Sequence, residues 1–280
     1  MREITARQIS AAVRELCMKA NYTLTDDLCR AMDGALAGET SPLGREVLGD
    51  LIENRKAARE CNLPICQDTG LAVVFAELGQ EVHITGGTLQ SAVDAGVSAG
   101  YLEGYLRCSV VADPLRRKNT GDNTPAILHV TLVEGDRLTL TVAPKGAGSE
   151  NMSVQRMLSP SASKEDVCDF VVDAVRAAGS KPCPPVIVGV GLGGDFELCA
   201  LLSKRALCRS LDEPHPDPYY REMEEGLLRR INALGIGPQG FGGSTTALGV
   251  HILAAPTHIA CLPAAVSLGC HVTRHQSATL

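Results

Sequence analysis

The 280-residue sequence is long enough for one large or two small domains with a sizeable buried core. Its hydrophobic share of 45% and its charged share of 21% are ordinary globular values, which excludes a disordered or fibrous chain. The formal net charge is -6, aromatic residues make up 3% and Trp is absent, so we expect no nucleic-acid surface.

The first sixty residues predict a helical lead-in. Apolar residues from Ile4 to Leu16 recur at three- to five-residue steps, which favours a helix. Thr25 precedes two aspartates and predicts an N-cap, and Ser41 followed by Pro42 is typical of another helix start.

The middle of the chain predicts strands around one helix. The β-branched run LAVVFAEL follows the polar turn CQDTG and indicates a strand, and residues 88–106 indicate a helix. Residues 127–133 and 138–142 flank EGDR and predict a hairpin.

The second half combines helices with glycine-rich, β-type segments. Ser163 and Asp166 form a capping-box pattern for a helix that should end at Gly179. The stretch PPVIVGVGLGGDFELCALLSKRAL predicts strand, turn and helix, a further helix ends near Gly235, and the last fifty residues return to β-type sequence. Because helix and strand patterns do not alternate regularly, we expect a single α+β domain over residues 1–280.

The N-terminal segment MREITARQISAAVREL carries charges where a secretory signal needs an apolar core, so we expect a cytoplasmic protein. The longest uncharged stretch, Ala247 to Cys270, contains two prolines and two histidines and predicts buried strands rather than a membrane span. The chain has 11 cysteines, an odd number, and a reducing compartment keeps thiols free. These thiols are therefore expected either to pack as small hydrophobic groups or to bind a metal or cluster.

Gly189, Gly191 and Gly194 match the pattern G-x-G-x-x-G between a predicted strand and helix. A dinucleotide site also needs an acidic residue at the end of a second strand, whereas Asp212 and Glu213 fall in a proline-rich turn. The pattern therefore favours close backbone packing or anion approach over nucleotide binding.

Two further clusters leave alternatives open. In CQDTG a thiol lies beside an amide, a carboxylate and a hydroxyl, either in a surface turn or in a site. Cys61 and Cys66 have the spacing of half a zinc site, but no second close pair follows them. Three histidines and two cysteines lie between residues 258 and 275, and such residues are more often part of the packed core than ligands.

Several segments together carry a family resemblance. In chain order they are PICQDTG, RCSVVADPLRRKNTGDNTPA, PKGAGSEN, CPPVIVGVGLGG, GIGPQGFGGSTTALGV and LGCHVTRH. They resemble the signature blocks of the oxygen-sensitive class I fumarases, in the form of a separate alpha subunit, and are equally similar to L-tartrate dehydratase alpha subunits. The blocks cover about three quarters of the chain, from position 60 to 275.

The resemblance implies a [4Fe-4S] cluster held by the thiolates of Cys66, Cys183 and Cys270. These residues are far apart in sequence, unlike the compact cysteine runs of ferredoxins, so folding has to bring three separate turns together. Each lies beside Pro or Gly at the edge of a predicted element. The remaining cysteines then become packing residues, and one iron keeps an open position that can act as a Lewis acid.

The resemblance also implies roles for other residues. Asp68 would be the general acid, Gln67 a hydrogen-bond partner of the substrate, and Arg107 a forked donor to a carboxylate. The backbone at Gly146 would approach the substrate, and His258 would be a catalytic residue near the active site. Without the resemblance, Asp68 would be interpreted as a turn acceptor and Arg107 as a solvated charge at a helix end.

Two positions depart from the family pattern. Ala147 stands where glycine is expected and could narrow the pocket, and VTRH replaces the expected AARH. Neither change removes an implied ligand.

The implied activity is the reversible hydration of fumarate to L-malate by an alpha subunit that is complete only with a beta subunit, as α₂β₂. L-tartrate dehydration and a non-catalytic iron-sulfur binding protein remain alternatives, and the glycine pattern leaves a nicotinamide oxidoreductase as a third. A C4 dicarboxylate is the expected substrate, and neither nucleic acid nor membrane is an expected partner.

Overall fold

A computed structural model describes all 280 residues and confirms the α+β class. Three helices occupy most of the first sixty residues, as the predicted helical lead-in requires, and a short strand precedes them. The helices are α1 (Ala6–Tyr22), α2 (Asp26–Gly38), α3 (Pro42–Cys61), α4 (Leu89–Glu103), α5 (Ala147–Glu150), α6 (Lys164–Ala178), α7 (Phe196–Ala206) and α8 (Pro218–Asn232). The strands are β1 (Arg2–Thr5), β2 (Leu71–Gly79), β3 (Val82–Thr85), β4 (Ile127–Val133), β5 (Leu138–Lys145), β6 (Val154–Leu158), β7 (Val186–Gly194), β8 (Ala247–Thr257), β9 (Leu262–Gly269) and β10 (Gln276–Thr279).

The chain folds into two compact units. The first unit comprises residues 1–25, 55–147 and 274–280, and the second comprises residues 26–54 and 148–273. Each unit has its own sheet and its own hydrophobic core.

The sheet of the first unit has the order β10-β5-β2-β4, and β1 pairs with β3 beside it. Its core is formed by apolar residues of α1, α4, β2 and β5, among them Val13, Val97, Val74 and Leu140, which are fully buried. α1 and α4 begin with capping boxes at Thr5 and Thr88, so their first backbone N–H groups are satisfied locally.

The predicted hairpin of residues 127–133 and 138–142 is wrong. Both segments are strands, but β2 lies between them, parallel to β4 and antiparallel to β5. β2 is buried over most of its length, so both of its edges need hydrogen-bond partners, whereas the more exposed β4 takes the sheet edge. The EGDR connection passes around the end of β2, where the backbone N–H of Gly79 donates to Arg137 at 2.8 Å.

The sheet of the second unit has the order β6-β9-β7-β8, with β7 parallel to β8 and antiparallel to β9. α6 begins with the predicted capping box of Ser163 and Asp166 and ends at Gly179, which confirms that prediction. α6 and α8 contribute buried side chains such as Val171 and Leu227 to a core shared with alternate residues of β7.

Glycines of β7 let α7 pack closely on the strand. A Cβ atom built on Gly189 would lie 2.1 Å from the carbonyl oxygen of Ser203, and one on Gly191 would lie 1.9 Å from that of Cys199. Any side chain at either position would collide with the α7 backbone, which supports the interpretation of close packing. Asp195 then caps α7 by accepting the N–H groups of the next turn.

The uncharged stretch from Ala247 to Cys270 forms β8, a turn and β9, as predicted. No helix of the structure combines the length and apolar character needed to cross a membrane.

Candidate active site

The CQDTG segment forms a tight loop between α3 and β2 in the first unit. The backbone N–H of Asp68 points at the Cys66 sulfur at 3.4 Å, and the N–H of Gly70 donates to the Asp68 carboxylate at 3.1 Å. Gly70 has a φ of +77°, and a Cβ atom there would lie 2.8 Å from the Lys145 backbone. The loop therefore requires glycine at this position and presents Gln67 as an exposed side chain.

Asp68 and Gly146, which the sequence assigned to one site, lie together. The second carboxylate oxygen of Asp68 accepts the backbone N–H of Ala147 at 2.8 Å. A Cβ atom on Gly146 would lie 3.0 Å from the same oxygen, so a side chain there would crowd the carboxylate. Ala147 is exposed and begins α5, and it meets Asp68 through its backbone, so the alanine is compatible with this contact.

Arg107 is fixed to the same loop through its backbone. Its N–H donates to the Thr69 hydroxyl at 2.9 Å, and that hydroxyl donates to the Arg107 carbonyl at 3.1 Å. The Arg107 residue itself is exposed. The backbone of Arg107 is therefore fixed to the loop that contains Asp68, while the residue remains exposed.

Two buried residues hold the backbone of this loop through hydrogen bonds. The sequence interpretation predicted neither of them. The Tyr101 hydroxyl lies 2.8 Å from the Thr69 carbonyl and 3.0 Å from that of Gly70. The amide nitrogen of Asn123 donates to Gly70 at 3.1 Å. Asn123 belongs to the GDN segment of a resemblance block, which offered a signal, whereas Tyr101 lies in an ordinary helical pattern.

Arg274 was also missed, although it belongs to the VTRH segment. It is 4% exposed, and one of its terminal nitrogens donates to the Asp68 carbonyl. The Nε and Nη1 donors have no hydrogen-bond partner. A guanidinium is charged at any physiological pH, so two unsatisfied donors of a buried arginine are typical of a place that receives an anion.

The second unit brings the segments of Cys183 and Cys270 together. His271, directly after Cys270, donates its backbone N–H to the Cys183 carbonyl at 3.2 Å, and its ring Nδ1 lies 3.1 Å from that carbonyl. The Cys270 sulfur accepts the N–H of Val272 at 3.4 Å. Cys66 and Cys270 thus share one local arrangement, a sulfur facing the N–H two residues ahead.

Sheet topology explains this pairing. β7 and β9 are antiparallel with Ile187 opposite Gly269, so the residues before β7 and after β9 meet at the same end of the sheet. His258 instead lies exposed in the turn between β8 and β9, where its Nδ1 accepts the N–H of Ala260 at 3.1 Å. The length of β9, roughly 25 Å at the usual rise per residue, separates His258 from Cys270.

Several other cysteines pack inside the units. Burial raises the pKa of the Cys17 thiol to about 12, and it also raises the pKa values of Cys168 and Cys199. Such groups stay protonated at neutral pH and are poor ligands, because a metal binds the thiolate. This agrees with the interpretation of these three residues as packing groups.

Known proteins are similar to this chain over nearly its whole length. A chain from Methanocaldococcus jannaschii named "Putative L(+)-tartrate dehydratase subunit alpha" is 39% identical over 274 residues, which is 95% of either chain. The L(+)-tartrate dehydratase subunit alpha of Escherichia coli K12 and that of Shigella sonnei are each 33% identical over 264 residues, covering 91% of this chain and 87% of theirs.

The family model described as "Fumarate hydratase (Fumerase)" matches residues 10–279, which is nearly the whole chain. The relatives of this chain described above carry the names of hydro-lyase subunits. The chain therefore belongs to the fumarate hydratase (Fumerase) family, among the alpha subunits of hydro-lyases.

Proposed function

We propose that residues 1–280 form the catalytic domain of an alpha subunit of a [4Fe-4S]-dependent hydro-lyase that hydrates fumarate to L-malate reversibly. The observation that carries this proposal is the contact between the segments of Cys183 and Cys270, whose positions match the ligand positions of the family that the chain resembles. Family membership supplies the reaction class, and the loop around Asp68 supplies groups that this reaction needs.

The residues present fit an anionic iron-sulfur cluster. No group of three or more His, Cys, Asp or Glu side chains is arranged to hold a single metal ion, so the fit is judged from the surroundings of each thiol. Cys66 and Cys270 each face a backbone N–H, the kind of donor that stabilises cluster sulfurs. Arg274 adds two unsatisfied cationic donors beside the Cys66 loop. We assign Cys66, Cys183 and Cys270 as the ligands.

When bound by three thiolates, such a cluster supplies a Lewis-acidic iron for the hydroxyl that enters or leaves. Asp68 is assigned to proton transfer, as general acid in one direction and base in the other. Both of its oxygens accept backbone N–H groups, which fix the carboxylate in one orientation.

Substrate binding is assigned to three neighbours of Asp68. The exposed Arg107 suits a carboxylate, because guanidinium offers two parallel donors. Gln67 is exposed on the same loop and can donate to a second oxygen, and Gly146 leaves room at the Asp68 carboxylate because it has no side chain. By resemblance we also keep His258 as a proposed catalytic residue, and it lies at the opposite end of β9 from Cys270.

L-tartrate dehydration is a second candidate. The relatives described above carry tartrate dehydratase names, whereas the family model carries the fumarate hydratase name. The two substrates differ by a hydroxyl, which a few side chains distinguish. The name "subunit alpha" of these relatives also supports a beta subunit as partner, and we propose an α₂β₂ complex.

The test is to produce the chain with its beta subunit under strict anaerobiosis and to measure kcat/KM for fumarate, L-malate, L-tartrate and mesaconate. The proposal expects turnover of a C4 dicarboxylate by the complex and little from the chain alone. Highest kcat/KM for L-tartrate would select the second candidate. An iron-loaded complex that turns over none of these acids would instead indicate a non-catalytic iron-sulfur protein.

A further inference from the structure

Three loops of the second unit meet at the end of the sheet where Cys183 and Cys270 lie. Val186 pairs with Ala247 and Ile187 with Gly269, so the residues before β7, before β8 and after β9 lie at this end of the sheet. The loop before β8 is the glycine-rich segment 235–246, to which the sequence interpretation assigned no role.

Gln239 in this loop contacts both cysteine segments. Its backbone N–H donates to the carbonyl of Pro184, the residue after Cys183, at 2.7 Å. Its side-chain Nε2 lies 2.7 Å from the same carbonyl and 3.1 Å from Nδ1 of His271, the residue after Cys270. The amide therefore bridges two segments that are distant in sequence.

The backbone conformation at this position favours glycine, yet the chain has glutamine. Gln239 has a φ of +51°, and the nearby Gly237 and Gly240 also have positive φ values. A non-glycine residue costs free energy in this region, whereas glycine occupies it freely. The side chain is therefore kept at a conformational cost, which is expected where it has a specific task.

The far end of the loop is clamped by Glu39, which is fully buried. One carboxylate oxygen accepts the backbone N–H of Ser244 at 2.8 Å and its hydroxyl at 2.9 Å, and the other accepts the N–H of Thr245 at 3.0 Å. Gly243 leaves room for this carboxylate, since a Cβ atom there would lie 2.8 Å from it. The loop that carries Gln239 is thus tied to the end of α2 and has little freedom to move away.

We propose that Gln239 is a positioning residue, which fixes the Cys183 and Cys270 segments at the separation that lets both thiolates bind one cluster. This inference rests on the proposed function for the identity of the ligands. The contacts of Gln239 themselves are observed in the chain without a cluster and are independent of the proposed function.

The test compares Gln239→Gly with Phe241→Ala, an exposed neighbour in the same loop. Gln239→Gly removes the amide and relieves the positive φ, so the fold should persist, as checked by thermal unfolding. In the cluster-free chain under reducing conditions, dibromobimane should join Cys183 to Cys270 several-fold more slowly in Gln239→Gly, measured by peptide mass spectrometry. A monofunctional bimane should label each thiol at the wild-type rate.

A second measurement follows the loss of iron in air after anaerobic reconstitution, which should be several-fold faster in Gln239→Gly and unchanged in Phe241→Ala. Unchanged crosslinking and unchanged iron loss would overturn the positioning role. If wild type binds no cluster at all, the proposed function fails, while the crosslinking rates still decide whether Gln239 fixes the two segments.

Discussion

The Asp68 carboxylate accepts the backbone N–H of Ala147 at 2.8 Å and thereby joins two loops that lie far apart in sequence. Its other oxygen is held by Gly70 within its own loop. A carboxylate with both oxygens held by the backbone has one orientation, which is what directed proton transfer requires.

Replacing this carboxylate by an amide tests its role. Asp68→Asn should lower kcat of the complex by about 10² or more, since the proton-transfer group is lost. Iron content should stay at the wild-type level, because Cys66 is unchanged. The measurement is kcat with iron analysis of the same anaerobic sample.

Asp113→Asn is the matched control, because Asp113 also accepts two backbone N–H groups in a turn, from Leu115 at 3.0 Å and Arg116 at 2.6 Å. It should keep wild-type kcat. An Asp68→Asn enzyme with normal kcat would remove Asp68 from the chemistry.

The cysteines fall into two classes that iron analysis can separate. Cys66→Ser, Cys183→Ser and Cys270→Ser should each abolish cluster binding, whereas Cys17→Ser and Cys168→Ser should retain it. The reason is that burial raises the pKa of the thiols in the second group, so they are not available as thiolates. Retention of full iron and sulfide in any of the first three variants would show that the ligand assignment is wrong.

Arg274 should stabilise the protein that holds a cluster more than it stabilises the cluster-free chain. In the cluster-free chain its unsatisfied donors cost roughly 1–3 kcal/mol, which offsets its bond to Asp68. Arg274→Met should therefore change the free energy of unfolding of the cluster-free chain by no more than about 1 kcal/mol. The loaded variant should lose iron faster in air than wild type does.

The exposed Arg59→Met serves as control and should match wild type in both measurements. If Arg274→Met strongly destabilises the empty chain and retains iron normally, Arg274 only anchors the Asp68 loop.

Because of Glu39, the free energy of unfolding should depend on pH in the acid range. Burial alone would raise its pKa, but hydrogen bonds from the backbone of Ser244 and Ser41 and from neighbouring hydroxyl-bearing residues outweigh burial and hold the pKa at about 2. A carboxyl pKa that is lowered on folding contributes stability above its unfolded value, here 4.5, and loses it as the pH falls toward 2. The contribution is on the order of 3 kcal/mol.

Urea unfolding of Glu39→Gln and wild type should show a large difference in the free energy of unfolding at pH 7, which shrinks below the unfolded pKa. The exposed Glu53→Gln should behave like wild type. A Glu39→Gln difference that is the same at neutral and acid pH would mean that the charge of Glu39 is not what holds the loop.

Local signals in the sequence predicted much of the fold. The Ser163 capping box, the Ser41-Pro42 helix start and the β-branched run of β2 each act over a few residues, and the structure confirms all three. Strand order depends on contacts between distant segments, so the hairpin of β4 and β5 was predicted wrongly although both strands exist. β1 was missed because four residues give too short a pattern.

The candidate site shows the same division. The resemblance assigned Gly146 and Asp68 to one site, and in the structure a Cβ atom built on Gly146 would lie 3.0 Å from the Asp68 carboxylate. Gln239 and Arg274 were missed, because their importance arises from a bridge between loops and from buried donors, neither of which leaves a spacing pattern. His258 is close to Cys270 in sequence, but a full strand lies between them.

Whether Cys66, Cys183 and Cys270 hold a cluster is decided by the iron and acid-labile sulfide content of the wild-type chain, purified and reconstituted without oxygen. We predict the stoichiometry of one [4Fe-4S] cluster per chain, with absorbance that bleaches in air because one iron lacks a protein ligand. A chain that takes up no iron or sulfide under these conditions would contradict it.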